Sequence, residues 1–454
     1  MIKNITDQLI NDLETLYLRG LTESDVHQLK NAVIDYLGCT FAGRKENYYR
    51  IRKDIHNFMC GQGVGIIGEG YSFSTRDAAL FNGINSHKLE LDDGHRVAML
   101  HIGAPIFSAL FPIAEKHKVE GKDFLMGALL AYEVVIRLGM SVQPSLKMQG
   151  FHATGVLGVV GAAVGVSFML GYDKDKLKKS ISYAATSSSG ILGVIDDKSE
   201  FKPFNVGNSA SQGVLASEMA LMDYQAPYDI LGGKRGLLKI MSKEIKYEFL
   251  DIEDNVVPMI HQIYRKPYAS CRHCHPMTEA GILLNQRLLL DINKVKKIYI
   301  ETYKLAIEGH DHKIILGENS AKMSIPYSVA IALKYGSGQR EYYKDVYINN
   351  PEIREIMNKI EIVENFNLSN KFPQSRSAIV SLFYENGEVS SEFIEHPKGE
   401  PENPLSDSEL ISKFNSLCDW AGIEKSKIEK IISCVNNIET DLTQLINIIN
   451  ERLI

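Results

Sequence analysis

Cysteine is scarce: Cys39, Cys60, Cys271, Cys274, Cys418 and Cys434 are spread over 454 residues. That is too few and too scattered for a disulfide framework, so reduced thiols are expected. Blocks of one charge are missing too, with 50 basic and 56 acidic residues evenly mixed and a formal charge of -6. Nucleic acid is therefore not an expected partner. The opening Met-Ile-Lys-Asn-Ile-Thr-Asp-Gln-Leu lacks the continuous apolar stretch of a signal peptide, from which a cytoplasmic protein is expected. Internal repeats and low-complexity tracts are also absent. What remains is ordinary globular composition, 44% apolar and 23% charged, in a chain long enough for about two to four domains.

Helical apolar spacing dominates the first half, at about 5–18, 23–41, 75–88, 104–118 and 122–140, with polar caps such as Thr22 and Ser74-Thr75. From Thr154 to Gly171 no residue is charged, and five of the eighteen are glycines. Glycine at that density lets neighbours approach closely, so a buried central helix is expected rather than a membrane span. Beyond about residue 265 the texture turns β-branched and aromatic. Strands are expected at Lys297–Tyr303, Lys359–Glu364, Ala378–Tyr384 and Glu388–Ile394, the last after the turn-like Glu385-Asn386-Gly387. A proline-rich connector, His396 to Pro404, precedes two or three closing helices, the first capped by Ser406 or Asp407.

Between His87 and His101 lie three histidines, the carboxylates of Glu90, Asp92 and Asp93, and Arg96. An arbitrary Asp-Asp is usually a solvated helix end. Here the flanking apolar residues imply burial, which shifts pKa values and makes proton transfer useful near neutrality. The turn Gly103-Ala104-Pro105 should start a helix whose N-terminus favours anions. His152, between glycines in Gly150-Phe151-His152-Ala153-Thr154-Gly155, has room for a ligand, although a cap or a satisfied core group is the plainer alternative. Lys202 precedes another helix start, where it can neutralise a carboxylate or simply be a surface lysine.

The run Lys266 to Pro276 contains Cys271-Arg272-His273-Cys274-His275. It matches the haem-attachment pattern in letters, but that chemistry goes with export. Zinc would have three ligands there, without a second pair at ligand spacing. The preferred reading is a cationic patch at a domain seam, with Lys266, Arg272 and the histidines, His275 included, facing an anionic ligand. The glycine-rich Gly61–Gly70 is weak as a phosphate loop, because it opens into no helix and no Walker lysine follows.

Four segments, His87–Pro105, Gly150–Gly171, Lys202–Gly213 and Lys266–Pro276, with a fifth at Ala321–Ala330, resemble the MmgE/PrpD family of 2-methylcitrate dehydratases, cis-aconitate decarboxylases and iminodisuccinate epimerases. The likeness covers nearly the whole chain. It implies a mainly α protein: a large all-helical domain from residues 1–265 and 397–454, a smaller α+β lid at 266–396, and a homodimer with its site in the cleft. Carried over by motif, active-site positions fall on Glu90, His101, His152, Lys202, Lys266 and Tyr327, with Cys271 near the substrate. Two departures stand out. Dehydratases and decarboxylases of the family usually have Asp-Phe-Asp-Asp-Thr where this chain has Glu90-Leu91-Asp92-Asp93-Gly94, and decarboxylases have histidine in place of Cys271.

The chemistry implied is a carbanion next to a carboxylate, with no metal or organic cofactor. His101 or His152 would be the base and Asp92 with Asp93 would orient an imidazole. Lys202, Lys266 and Arg272, with Glu90, Arg96, Cys271 and His275 nearby, would bind substrate carboxylates, and Tyr327 would protonate a leaving hydroxyl. The expected activity is a dehydratase of a citrate-like di- or tricarboxylate. Its rivals are an epimerase of a substituted succinate, a cis-aconitate-type decarboxylase, and a metal- or ligand-binding protein on the same scaffold.

Overall fold

Side-chain caps start the helices where the sequence supplies them. Asn4 accepts from the Asp7 amide to open α1 (Ile5–Arg19), and Ser74 accepts from Asp77 ahead of α3 (Thr75–His87). Ser406 and Glu409 form a reciprocal capping box on the helix Asp407–Ala421; such caps satisfy amides that have no partner within the helix. The structure is a computed structural model describing residues 4–51, 63–70, 72–195, 199–253, 257–287 and 292–453. The remaining helices of the first half are α2 (Glu23–Ile51), α4 (Gly103–His117), α5 (Gly121–Val142), the short α6 (Ser145–Met148), α7 (Ala153–Met169), α8 (Lys174–Ser187) and α9 (Lys202–Met219).

The uncharged glycine-rich run is α7, buried along nearly its whole length and packed against α5, α9, α4 and α8. Helix α5 is long and apolar enough to cross a membrane, yet its apolar window is wholly buried in the protein. Its ion pair, Arg137 Nε to Glu133 Oε1 at 2.5 Å, is completed by the Met259 amide on Glu133 at 2.7 Å, as a buried charge requires. Close approach sets the neighbouring α3–α9 contact: a Cβ on Gly83 would lie 2.6 Å from the Gly207 Cα.

The largest apolar core draws on α1, α2, α4, α5 and α7 together with the closing helices Asp407–Ala421, Lys425–Asn436 and Ile438–Asn450. Each Val, Leu or Ile fully buried there contributes about 1.5–3 kcal/mol. A second core is drawn mainly from residues 269–394 and lies against one face of a sheet. A two-residue hairpin, β1 (Val64–Gly65) with β2 (Ser72–Phe73), precedes that sheet in the chain. The sheet has the order β4-β3-β5-β6, with β3 (Val295–Thr302), β4 (Ile360–Glu364), β5 (Ala378–Tyr384) and β6 (Val389–Ile394). Only the β3–β4 pair is parallel. Leu89, Leu91, Cys39 and Ala42 join this second core, so the segment after α3 passes through the seam between the two.

Of the glycine-rich stretch, Gly61 and Gln62 lie outside the described residues. The rest is a docking point for the C-terminal end of the chain: the Gly68 amide donates to Ile449 O, the Leu453 amide donates to Gly68 O, and Arg44 pairs with Glu69. Its other amides include that of Gly65, which donates to Glu115 Oε2 at 2.9 Å, and that of Ile67, which donates to Asn82 Oδ1 at 3.1 Å, so they are engaged within the protein and not offered to a phosphate.

Candidate active site

Helix α3 ends at His87, and the chain turns through Glu90 with φ at +57°, a region that non-glycine residues rarely occupy. Lys266 holds the turn, its ammonium donating to the Glu90 carbonyl at 2.9 Å and lying 3.4 Å from Oε2. Lys202, at the start of α9, donates to Glu90 Oε1. Burial alone would raise this carboxyl, but Lys202, His87 and Lys266 outweigh it and hold it well below the usual range. Glu90 therefore clamps two lysines at the seam; a strained residue that charged neighbours hold in place is a common mark of a functional site.

Asp92 lies between two imidazoles, its Oδ2 2.8 Å from His87 Nδ1 and 3.1 Å from His101 Nδ1. His101 Nδ1 is also 3.0 Å from the Asp93 carbonyl. Two acceptors on Nδ1 put the proton there and leave Nε2 bare, the tautomer that a general base needs. Burial, opposed by Asp92, brings His101 down to about 4, so it is neutral at physiological pH. His152 has the opposite arrangement. Its Nδ1 faces the Asn205 amide at 3.3 Å, and that same amide nitrogen donates to Ile191 O. The His152 proton then resides on Nε2, making it a donor. Burial and then Lys202 push His152 well below its ordinary value, so it too is neutral.

Glu90, His101 and His152 line a chamber of about 130 Å³ with Lys147, Lys202, Lys266, Arg272, Arg376 and Cys271. Among the described residues, Glu90 is the only carboxylate that lines it. Five cationic side chains against one anion make the chamber a place for a small polyanion. It shares Glu90, Lys147, Lys202, His310 and Met323 with an outer vestibule of about 700 Å³ that carries Ile314 and Leu316.

Several expected site residues lie elsewhere. Asp93 belongs to the scaffold: it accepts from the Gly103 amide at 2.8 Å, the Ile102 amide at 3.3 Å and the Tyr132 hydroxyl at 2.6 Å, capping α4. It does not orient an imidazole through its carboxylate. Tyr327 is fully buried and donates to Tyr342 O at 2.5 Å, lining neither of these cavities, so it is out of place to protonate a leaving hydroxyl. Arg96 pairs with Glu402 and Glu400. Arg272 reaches the chamber wall, but its guanidinium is engaged by Glu400, Pro397 O and Lys398 O. His275 is bound to Arg272 and the Ser270 carbonyl. The cysteine-histidine run converges on no common centre, and the five described cysteines are free.

Sequence reasoning missed His87 as a second partner of Asp92, and it missed Lys147, Arg376 and His310 as lining groups. Arg376 has a buried Nε without a partner. None of these last three stands in a motif-like segment, so only the fold brings them in. The departure at Gly94 has a local cause: a Cβ there would meet the Tyr264 hydroxyl at 2.4 Å. His87, Asp92 and His101 place possible ligand atoms within 4.8 Å of one another. However, Asp92 already accepts from both rings, and two ammonium groups converge on the adjacent Glu90, so this donor set fits a hydrogen-bonded proton relay better than a cation.

Fold and site together define a mainly α protein with a small α+β unit and a chamber at the seam lined by histidines and cationic side chains. The chain belongs to the MmgE/PrpD family: residues 8–250 match the MmgE/PrpD N-terminal domain and residues 268–437 the C-terminal domain. It is similar to human cis-aconitate decarboxylase, 22% identical across 97% of this chain and 92% of that protein. A cis-aconitate decarboxylase-like protein from Aspergillus oryzae is also 22% identical, across 99% of this chain and 98% of its own length.

Proposed function

We propose that this protein is a cofactor-independent lyase that dehydrates a citrate-like di- or tricarboxylate through a carbanion next to a carboxylate. The observation that carries this reading is the bare Nε2 of His101 in a chamber lined by five cations. In the proposed course, Lys202, Lys266 and Arg376 bind substrate carboxylates, and His101 Nε2 takes the α-proton. The electron pair moves onto the adjacent carboxylate as an enediolate, which the ammonium groups and the His152 Nε2–H stabilise. Asp92 stabilises the imidazolium formed on His101, and the C–O bond to the β-hydroxyl breaks with its electrons on oxygen, which takes up a second proton and leaves as water. Proton transfer of this kind contributes about 10²–10⁴-fold, and a placed donor to a developing oxyanion about 10²–10³-fold.

The relatives favour decarboxylation as the second reading, in which loss of CO₂ rather than of a proton generates the carbanion. Epimerisation of a substituted succinate needs the same α-proton removal and no leaving group. We further propose a cytoplasmic homodimer; exposed Ile191, Phe201 and Phe204 near the site support a second copy there.

A panel of di- and tricarboxylates, followed in the ultraviolet for a new conjugated double bond and by mass spectrometry, tests the reading. Loss of water supports dehydration, loss of CO₂ supports the second reading, and α-deuterium uptake without change of skeleton supports epimerisation. If no carboxylate is consumed, or if His101→Ala and His152→Ala keep full activity on the one that is, the proposed site is wrong.

A further inference from the structure

With Tyr327 outside the chamber, the proposed reaction lacks a group to deliver a proton to the departing oxygen. Only a few side chains in the chamber carry a movable proton on the side of the α+β unit. Cys271 Sγ lies 3.8 Å from His310 Nε2, and both line the chamber. His310 Nδ1 is 2.8 Å from the Met323 carbonyl, which places a proton on Nδ1 and turns Nε2 toward the thiol. This is the orientation in which an imidazole exchanges a proton with a neighbouring thiol. His101 and His152 come from the helical side of the seam, while Cys271 and His310 come from the strap after residue 265 and the loop after β3.

We propose that Cys271 and His310 form the second proton-transfer pair of this site, holding one shared proton that Cys271 presents to substrate from the wall facing His101. The inference rests on the carbanion reading above. In the forward step His101 takes the α-proton, and the C–H pair becomes the enediolate. The C–O bond then breaks with its electrons on oxygen, and the shared proton joins that oxygen, so that water leaves. Cys271 remains as thiolate beside neutral His310, and solvent restores both protonation states.

The surroundings suit a shared proton. Burial pushes the Cys271 thiol up, but His310, Lys266 and Lys202 outweigh it and bring it down to about 6. His310 is raised: burial lowers it, and the Cys271 charge and the Met323 carbonyl more than compensate. Lys147 and Arg376 also face the pair. Cys274 and Tyr303 are nearby but are raised by burial and stay neutral, and His273 is held neutral beside His310. The one-proton state therefore spans the interval from about pH 6 up to the raised value of His310.

Two measurements decide the matter. Alkylation by iodoacetamide, mapped to Cys271 by peptide mass and followed against pH, needs no substrate. The rate should be half-maximal near pH 6 in the wild type, and the midpoint should rise by about one unit or more in His310→Gln. A midpoint near the ordinary thiol value of about 8.5 in both proteins overturns the pair. On the carboxylate found by the panel, Cys271→Ser should lower kcat about 100-fold with KM within about threefold. His310→Gln should move the alkaline limb of the kcat/KM profile to the new Cys271 alkylation midpoint. Full kcat in Cys271→Ser, or a profile unmoved by His310→Gln, also overturns it. A low alkylation midpoint in a protein that consumes no carboxylate defeats the proposed function alone, whereas turnover with an ordinary midpoint defeats only the pair.

Discussion

The chain should lose stability steeply on mild acidification, because its folded state keeps five buried histidines neutral. Burial, aided by Arg96 and Arg376, brings His95 down to about 3, and His101 falls to about 4. His152, His273 and His275 are each held well below the ordinary value by burial first and by neighbouring cations second. Each contributes stability that is fully present above pH 6.5, where the unfolded chain is also neutral, and that is lost as pH falls toward the folded value. A neutral buried imidazole set against a protonated unfolded one costs about 1.4 kcal/mol per pH unit. Between pH 6.5 and 5 this amounts to about 2 kcal/mol each for His95 and His101, whose folded values of about 3 and about 4 lie below that window, and His152, His273 and His275 act in the same direction.

Asp93 opposes the loss. Burial raises it to about 6, so its protonation below pH 6 returns about 1 kcal/mol. The balance is a net loss of at least about 3 kcal/mol, a sizeable share of the stability of a typical domain, about 5–15 kcal/mol. Urea denaturation followed by circular dichroism at half-unit steps from pH 7.5 to 5 measures it directly. The midpoint should fall steadily as the pH drops below 6.5. A midpoint that stays constant between pH 7 and 5 would refute the assignment of neutral buried imidazoles, and with it the neutral His101 that the mechanism uses.

Adjacent carboxylates should separate cleanly. Asp93→Ala strands two amides and a buried hydroxyl, which costs about 2–5 kcal/mol in denaturant titration, whereas Asp92→Asn should lower kcat about 10²–10⁴-fold by disorienting His101. Tyr327→Phe should leave kcat within about threefold, since its hydroxyl only meets Tyr342 O; a 100-fold loss would return it to the chemistry. Arg376→Met should raise KM about 10–100-fold through one lost charged hydrogen bond, measured by steady-state kinetics on the accepted carboxylate. Gly207→Ala should destabilise by about 1–3 kcal/mol, because a Cβ there would lie 2.3 Å from Leu80 O, and thermal melting would show it.

Much of the architecture was legible because it repeats local rules. The expected helices at 75–88 and 104–118 and the expected strands at 359–364 and 378–384 coincide within a residue or so with α3, α4, β4 and β5. Periodicity and caps act over a few residues, and those survive in the linear order. Helix α2 runs on past the expected 41 to Ile51, since its packing against the closing helix Asp407–Ala421 is a contact across hundreds of residues that no local pattern carries. Density of titratable groups likewise pointed to the segment that the fold places at the seam between the two cores. It did not separate Asp92 from Asp93, because successive side chains point apart: one turns toward His87 and His101, the other back onto the amides that open α4.

By itself, then, the sequence determined the elements, the family and the existence of an acid–base cluster after α3, all properties of neighbours in the chain. The tertiary structure decided which members of that cluster face the chamber. Tautomers depend on what stands opposite each ring nitrogen, as Asp92 and the Asp93 carbonyl do for His101 and Asn205 does for His152. The chamber's cations come from Lys147, Lys202, Lys266, Arg272 and Arg376, most of them remote in sequence and brought together only when the two cores close on the strand of chain between them. Charge and hydrogen bonding act through space, so their outcome had to wait for the fold.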